Sequence, residues 1–339
     1  MKGPESFSRY EKPSVSVIIP VFNGGNQFRM CLASLGLCSS PPLEIIVVAD
    51  GESDGSWRVA QALGYKVIVL EQSHGPAFAR NIGAREASGD ILLFIDADVS
   101  VSPNIIDTVQ DVFDNNPDVA AIIGSYDDEP FEKNFLSQYK NLIHHYVHQQ
   151  SNETASTFWG ACGAIRKTAF DHVKGFDIKY RNPCIEDIEL GYRLVAAGYT
   201  IRLEKSIFIK HLKRWDIKSL LKADIFYRAL PWSALIIEKK LLVNDLNLTL
   251  SSRLSVALVM ISMGLLSLMS FFPILGICAI GCILSLVILN KNIYLFFIQK
   301  RGIIFTMGVV PWHWLYYLYS GLAFAMTYIK LRTLRCFDQ

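Results

Sequence analysis

The chain has 339 residues, of which 51% are hydrophobic, and a formal net charge of only +2. So small a charge gives nucleic-acid binding no electrostatic support. Seven scattered cysteines without a CxxC pair favour reduced thiols over a disulfide framework. The polar start, MKGPESFSRYEKP, lacks the apolar run of a signal peptide.

Apolar, β-branched runs alternate with stretches of helical periodicity through the first hundred residues. The predicted strands are 15–21, 43–49, 65–70 and 91–95, and the predicted helices are 27–37, 53–63 and 75–87. This alternation predicts an α/β fold with a doubly wound, mostly parallel sheet. Because parallel strands end at one edge, the polar residues that follow them are expected to cluster there. These residues are Asn23, Asp50, His74, Asp96 and Asp98.

The fourth predicted strand ends in two carboxylates, Asp96 and Asp98, spaced i and i+2. On a strand this spacing places both side chains on one face. Hard oxygen ligands at such an edge suit a divalent cation that also holds phosphates. An acidic turn after a strand has the same pattern, so the neighbouring motifs must decide between a metal site and a turn.

Four ordered segments resemble the nucleotide-sugar half of family 2 glycosyltransferases, which have the GT-A fold. They are PVFN at 20–23, IVVADGESDGS at 46–56, ARNIG at 79–83 and DAD at 96–98. The resemblance covers about residues 14–215. The family often has two Asp before the Gly of the second segment, whereas Ala49 stands at the first position here. A sugar nucleotidyltransferase is the competing fold, but NGGNQ at 23–27 lacks its basic phosphate clamp.

The resemblance implies a nucleoside diphosphate-sugar donor, with UDP favoured over GDP, and Mg²⁺ or Mn²⁺ as cofactor. Asp50 would accept a hydrogen bond from the base, and Arg80 would steady the nucleotide or its phosphates. Asp96 would contact the ribose and the metal, and Asp98 would bind the metal. The residues expected to line the base and ribose are Pro20, Phe22 and Asn23.

The segment IEDIELGYR at 185–193 resembles the Glu-Asp motif of the same family. Asp187, beside Glu186, would be the general base that deprotonates an acceptor hydroxyl, although acids at a helix start are favoured by the dipole in any protein. One base opposite a metal-bound leaving group implies single displacement with inversion, without a nucleophilic carboxylate.

Two further segments are weaker signals. In FWGACGAIR at 158–166, the resemblance implies that Gly160, Cys162 and Gly163 line the donor sugar and acceptor, although a tight turn into a strand explains these glycines as well. In HLKRW at 211–215, only Arg214 and Trp215 match the QxxRW motif of processive synthases, which argues against chain extension. Arg214 would meet the departing diphosphate or lipid headgroups.

Three histidines, His144, His145 and His148, fall on a predicted helix, two of them at i and i+4. This spacing suits zinc, but no acidic or cysteine partner is evident in the sequence. We therefore expect a solvated or acceptor-facing helix.

The C-terminal third is expected to associate with a membrane. After a catalytic domain at 1–215, residues 216–250 predict amphipathic interfacial helices broken near Pro231, with an ordinary surface helix packed on the catalytic domain as the alternative. Within 251–339, a stretch from Leu254 to Asn290 without Asp, Glu, Lys, Arg or His predicts two transmembrane helices, about 254–271 and 274–290. An aromatic-rich segment at about 302–329 would be a third membrane or re-entrant element.

The sequence thus predicts a metal-dependent, inverting glycosyltransferase acting on a lipid-linked acceptor, without nucleic acid as a partner. It would be a multi-pass protein of the cell inner membrane with its catalytic domain in the cytoplasm, following the basic flanks Lys300 and Arg301. The alternatives are a processive polysaccharide synthase subunit and a catalytically silent nucleotide-sugar-binding protein of envelope assembly.

Overall fold

The computed structural model describes residues 12–240 and 243–337, with side chains as far as residue 333. The prediction about a signal peptide concerns a segment that lies almost entirely outside the described residues.

The first hundred residues form four parallel strands joined by helices. They are β1 (Val15–Val21), α1 (Gly25–Leu35), β2 (Glu44–Asp50), α2 (Ser56–Ala62), β3 (Lys66–Leu70), α3 (Pro76–Glu86) and β4 (Ile91–Ile95). Each predicted element of this half is present, with ends within three residues of the prediction. The strands lie side by side in the order β3-β2-β1-β4, all parallel. The carboxyl ends of β1, β2 and β4 therefore share one edge, as predicted.

The second half completes a nine-stranded sheet. It contains β5 (Val99–Val101), α4 (Ile105–Asn115), β6 (Val119–Tyr126), α5 (Phe135–Gln150), β7 (Thr154–Ala155), β8 (Cys162–Arg166), α6 (Lys167–His172), α7 (Glu186–Ala196) and β9 (Thr200–His211). Strand β8 is inserted between β4 and β6, antiparallel to both, and β5 and β7 are antiparallel to β9. The sheet is therefore mixed, and the expectation of a mostly parallel sheet is wrong for this half. The apolar pattern of a buried strand is the same whether the strand pairs in parallel or antiparallel, so the sequence alone does not determine its direction in the sheet.

The core lies between this sheet and its helices. Both faces of β1 and β4 are covered, and their apolar side chains are almost fully buried. Helix α3 lies close against β1 and β2, and a Cβ at Gly83 would come within 2.5 Å of the Ile18 Cγ2. Only glycine permits that approach, which brings the start of α3 beside the carboxyl edge of the sheet.

The C-terminal region is helical. Its helices are α8 (Ile217–Asp224), α9 (Leu230–Lys239), α10 (Leu250–Leu268), α11 (Ile274–Leu289) and α12 (Lys291–Phe337), and a π-helical turn at Ile225–Ala229 joins α8 to α9. The predicted break near Pro231 is wrong, because the helix continues through it. Pro231 lies at the start of α9, directly after the wider π turn, where a missing N–H is tolerated. Residues 241–242, within the predicted interfacial segment, lie outside the described residues.

Two helices within the described residues are long and apolar enough to cross a membrane, Leu250–Leu268 and Lys291–Thr333. The predicted second span is helix α11, which at 16 residues is shorter than a usual crossing. The predicted third segment, 302–329, lies within α12 and follows a kink at Gly302, where φ is 83°. Length and composition alone are weak support for spanning, so a membrane location stays a prediction.

Helix α12 is fixed to the catalytic domain near its kink. Lys300 forms an ion pair with Asp128, and the Arg301 Nε donates to the Gln138 Oε1 at 2.6 Å. The ring of Phe305 packs against that of Phe135 on α5, with centroids 4.8 Å apart. The two basic residues after the apolar helices therefore face the sheet domain.

Candidate active site at the carboxyl edge of the sheet

Asp96 and Asp98 occupy the turn between β4 and β5, at the predicted edge. The Asp96 Oδ1 accepts a hydrogen bond from the Arg80 Nη2 at 2.7 Å. The Asp98 Oδ2 lies 3.6 Å from the His211 Nε2 at the end of β9. About a third of each aspartate side chain is exposed. Both carboxylates are thus held in place while remaining open to a ligand.

Arg80 connects this turn to the Glu-Asp motif. It is buried on α3, and its Nη1 donates to the Glu186 Oε1 at 2.8 Å while its Nη2 holds Asp96. Planar guanidinium groups suit such a double carboxylate contact. The expected contact of Arg80 with the nucleotide stays a prediction, whereas its role as a bridge between the two acidic motifs is evident.

Asp187 lies at the start of α7. Its Oδ2 accepts from the Gly160 N–H at 3.0 Å, and its Oδ1 accepts from the Ile188 N–H at 2.8 Å. Burial and the neighbouring charge of Glu186 raise the pKa of Asp187 to about 6. A carboxylate with such a pKa is ionised at neutral pH and is a stronger base than an ordinary aspartate.

Glu186 has a different environment from Asp187. Only 5% of its side chain is exposed, and its two oxygens accept from Arg80 and from the Cys184 N–H at 2.8 Å. Both oxygens are therefore occupied inside the protein. In this arrangement Glu186 positions Arg80, and a part for Glu186 in catalysis stays a prediction.

The glycine-rich segment before β8 contributes only its first glycine to this site. A Cβ at Gly160 would lie 3.0 Å from the Arg80 guanidinium, so the backbone can approach only without a side chain. Cys162 and Gly163 are buried within β8, where they pair with Ile95 and Phe94. The prediction that these two residues line the donor sugar and acceptor is therefore wrong.

Asp50 ends β2, and its carboxylate is enclosed by the loop that leads to α3. It accepts from the His74 and Gly75 N–H groups at 2.8 Å and from the Ser73 Oγ at 3.0 Å. The residue is only 4% exposed. The Asp50 carboxylate therefore has little exposed surface from which to accept the predicted hydrogen bond from a base. Its oxygens hold the loop at 73–75 instead.

The residues after β1 form the rim of the same edge. Pro20 is half-buried, whereas Phe22 is 58% exposed. Asn23 adopts a left-handed φ of 51°, and its Oδ1 accepts from the Ser53 N–H at 2.8 Å. An exposed aromatic ring beside a fixed loop suits the predicted contact with a base, which stays a prediction.

The segment after β9 lies beside Asp98. The Leu212 N–H donates to the Asp98 carbonyl at 2.8 Å, and the His211 Nδ1 lies 3.0 Å from the Asn141 Oδ1. Burial raises the pKa of Asp98, but the facing imidazole of His211 and the charge of Lys213 bring it below its usual value. In the sequence His211 was only a departure from a motif, and its pairing with the Asp98 turn depends on β9 lying beside β5.

Arg214 and Trp215 are held differently. The Arg214 side chain is 70% exposed, with the Glu132 Oε2 at 3.4 Å. Trp215 is buried, and its backbone N–H donates to the Ser137 Oγ at 2.7 Å. Arg214 is free to meet a diphosphate or a lipid headgroup, as predicted but untested, whereas Trp215 packs the segment onto α5.

Of the three histidines of α5, His148 is buried, whereas His144 and His145 are half-buried. His148 is 4% exposed and its Nδ1 lies 2.9 Å from the Gly124 carbonyl, while burial lowers its pKa to about 4. The His144 ring lies 4.8 Å from Trp159 and 4.1 Å from His148. A solvated face is wrong at His148, and an acceptor-facing helix stays a prediction, since His144 packs beside Trp159.

Within the described residues no cluster of three or more His, Cys, Asp or Glu side chains is arranged to hold a metal ion. Mg²⁺, however, is usually held by one or two carboxylates together with substrate phosphates. Asp96 and Asp98 match that mode, and the His211 Nε2 lies 3.6 Å from the Asp98 Oδ2. The chemistry of these side chains therefore fits a divalent cation.

Comparisons with known proteins agree with this geometry. Residues 16–174 match the family model of glycosyl transferase family 2. Over 99 residues the chain is 40% identical to the uncharacterized glycosyltransferase YibD of Escherichia coli, covering 28% of this chain and 29% of that protein. It is 28% identical to the pre-mycofactocin glycosyltransferase of Mycobacterium tuberculosis over 225 residues, or 63% of this chain and 46% of that one.

A third relative is the glucosyl-dolichyl phosphate glucuronosyltransferase of Haloferax volcanii, 34% identical over 88 residues, or 25% of this chain and 28% of that one. The chain spans less than half the length of each of these curated relatives. The matched segment carries β1 to β4, Arg80, Asp96 and Asp98. Residues 16–174 are therefore similar to family 2 glycosyltransferases.

Proposed function

We propose that this chain transfers a sugar from a nucleoside diphosphate donor, UDP favoured over GDP, to a hydroxyl of a lipid-linked acceptor at a membrane surface. The observation that carries the proposal is the bridge through Arg80. One buried guanidinium joins Asp96, on the donor side, to Glu186, the neighbour of Asp187. The donor motif and the proposed base are thereby fixed relative to each other.

Asp187 is the proposed general base. Hydrogen bonds from Gly160 and Ile188 orient its carboxylate, and its raised pKa favours proton acceptance from an acceptor hydroxyl. No second carboxylate is free beside it, since both oxygens of Glu186 are occupied. This arrangement favours single displacement with inversion over a covalent glycosyl-enzyme.

The donor diphosphate would be bound at the edge formed by Asp96 and Asp98. When bound there, Mg²⁺ or Mn²⁺ would offset the charge of the leaving nucleotide as a Lewis acid. Arg214, mostly exposed on the adjacent segment, would contact the same phosphates. Arg80 would hold Asp96 in place, because its Nη1 already donates to Glu186 and its Nη2 to Asp96.

The lipid-linked acceptor is supported by the C-terminal helices. Helices α10 and α12 expose large apolar side chains, and α12 is joined to the sheet domain through Lys300 and Arg301. The name of the Haloferax volcanii relative includes a dolichyl phosphate. We infer three units, a transferase domain at 1–215, interfacial helices at 216–250 and a membrane region at 251–339, in the inner membrane with the transferase domain in the cytoplasm.

The test uses the purified full chain in detergent with labelled UDP- and GDP-sugars, a membrane lipid extract and Mn²⁺. The expected product is a lipid carrying one added sugar, separated by thin-layer chromatography. Long polymer would instead indicate a processive synthase, and absence of transfer from every donor would contradict the proposal.

A variant and a matched control test the metal requirement. Asp98→Asn and chelation by EDTA should each abolish transfer, whereas Asp114→Asn, which removes an exposed carboxylate from α4, should leave it unchanged. Full activity of Asp98→Asn in EDTA would exclude the proposed metal role.

A further inference from the structure

Two cavities of about 530 and 420 Å³ lie where α9, α10 and α12 meet the catalytic domain. Neither contains a residue of the candidate active site. They share a common wall, formed by Asp224, Arg228, Asn247, Ser252, Tyr316 and Tyr317. Because these residues border both cavities, the two cavities are adjacent, with Arg228 at their boundary.

Arg228 is the exceptional residue of the shared wall. It lies in the π-helical turn, a distortion that often marks functional sites. Its guanidinium makes no hydrogen bond or ion pair with any residue that the structure describes. The adjacent carboxylate of Asp224 is already engaged by Lys140 and by the Tyr319 hydroxyl at 2.7 Å.

The charged lining residues are three cations, Lys140, Arg228 and Arg253, and two carboxylates, Asp224 and Asp245. The other carboxylate in the lining, Asp245, accepts from the Ser156 N–H at 2.8 Å and from its Oγ at 3.0 Å. The other cation at the first cavity, Arg253, donates to the Val243 carbonyl. The lining therefore has an excess positive charge with unused donors at Arg228, which fits an anion.

The first cavity is apolar away from this wall. Side chains of α9, α10 and α12 line it, namely Trp232, Ile236, Val256, Met260 and Phe324. Phe324 is 42% exposed, so this lining reaches the outer apolar surface of α12. An apolar chain can therefore pass from that surface towards Arg228 without crossing a polar region.

The second cavity is linked to the proposed base through packed side chains. Its wall includes His144, whose ring lies 4.8 Å from Trp159, the residue before Gly160. The N–H of Gly160 holds the Asp187 carboxylate at 3.0 Å. On the other side, the Trp232 Nε1 donates to the Tyr192 hydroxyl of α7 at 2.9 Å. The cavities thus adjoin the two elements that position Asp187.

We propose that these cavities bind the acceptor as a phosphate-bearing lipid, with Arg228 holding the phosphate and the cavity between α9, α10 and α12 holding the hydrocarbon chain. The polar second cavity takes the acceptor sugar and directs its hydroxyl towards Asp187. The inference rests on the proposed function and deepens it by naming the chemical class of the acceptor.

The test measures binding by the purified full chain in nanodiscs of neutral lipid, with farnesyl phosphate, farnesol and inorganic phosphate as probes. Wild type should bind farnesyl phosphate roughly tenfold or more tightly than either of the other two. Arg228→Gln should lose roughly tenfold or more of that affinity. The matched control, Lys218→Gln, removes an exposed positive charge from α8 and should bind like wild type.

Three results would overturn the proposal. Equal binding of farnesyl phosphate by wild type and Arg228→Gln would mean that Arg228 does not contact the phosphate. If farnesol bound as tightly as farnesyl phosphate, the phosphate group would not contribute to binding. If inorganic phosphate bound as tightly as farnesyl phosphate, the hydrocarbon chain would not contribute.

A second pair of variants tests the hydrocarbon site without changing charge. Ala325→Trp places a large ring in the lining of the first cavity and should weaken farnesyl phosphate binding roughly tenfold, whereas Met326→Trp, at an exposed position outside the lining, should not. Unchanged binding by Ala325→Trp would overturn the hydrocarbon site.

Thermal stabilisation by UDP with Mn²⁺ separates this inference from the proposed function. All four variants should retain the wild-type stabilisation, because the cavities lie apart from the donor edge. If wild type itself shows no UDP-dependent stabilisation, the proposed donor chemistry fails, whereas the cavity result depends only on the lipid probes.

Discussion

The sheet domain buries its large apolar side chains, whereas the C-terminal helices expose many of theirs. In the sheet, side chains such as Val17 and Ile18 are 0% exposed. In the helices, Ile277 is 67% exposed and Ile304 is 85% exposed. Monomeric soluble proteins rarely expose contiguous apolar surface on this scale. The first region buries its apolar side chains within its own core, whereas the second exposes an apolar surface that suits the proposed membrane location.

The same contrast holds for two arginines. Arg80 in the sheet domain is buried with a carboxylate on each side, while Arg228 at the junction has no such partner among the described side chains. A closed ion-pair network fixes geometry, and an open cation leaves binding capacity for a ligand. The sheet edge is accordingly preorganised, and the junction is prepared to receive a charged group.

The largest effect is expected at the preorganised edge. Asp187→Asn should lower transfer by roughly 10² to 10⁴-fold, because an amide cannot accept the acceptor proton. Steady-state rates with labelled donor measure this loss, and UDP binding should stay unchanged. Asp114→Asn is the control, and a rate within about twofold of wild type for Asp187→Asn would refute the base.

Breaking the closed network should cost stability. Arg80→Gln leaves Asp96 and Glu186 without their shared counter-charge, and the free energy of unfolding should fall by about 3–5 kcal/mol. Chemical denaturation of the full chain in detergent measures this. Arg85→Gln, exposed on the same helix, should change the free energy of unfolding by less than about 0.5 kcal/mol. Equal effects of the two variants would mean that the bridge through Arg80 does not stabilise the fold.

The contrast in apolar exposure can be tested by adding one charge to each region. Ile261→Arg, at a 51% exposed position in the middle of α10, should disfavour membrane insertion by about 2.5–3.5 kcal/mol. Val69→Arg, at a 53% exposed position of β3, should have no such effect. The measurement is the fraction of full-length chain that stays in carbonate-washed membranes, and an unchanged fraction for Ile261→Arg would speak against a spanning α10.

The smallest effect is that of pH. Because burial and Glu186 raise the pKa of Asp187 to about 6, and the ionised form is the base, activity should rise with pH and level off above that value. Below it, kcat/KM should fall by about tenfold per pH unit. A profile measured from pH 5 to pH 8 that remains flat would mean that Asp187 does not titrate during the reaction.

Local patterns in the sequence were sufficient for the first half of the fold. Alternating apolar runs located β1 to β4 and their helices, because strand and helix periodicity depend only on neighbouring residues. Parallel connections then place the ends of these strands at one edge, so the position of Asp96 and Asp98 followed from the sequence alone.

Only the tertiary structure decided how distant residues meet. The direction of β8, the pairing of Arg80 with Glu186 across 106 positions and the approach of His211 to Asp98 each depend on the path of the chain between them. The same holds for the enclosed carboxylate of Asp50 and for the guanidinium of Arg228, which has no partner in the part of the chain that the structure describes. Hydrogen bonds and burial between remote segments leave no periodic pattern in a single sequence, and so they emerge only when the chain is folded.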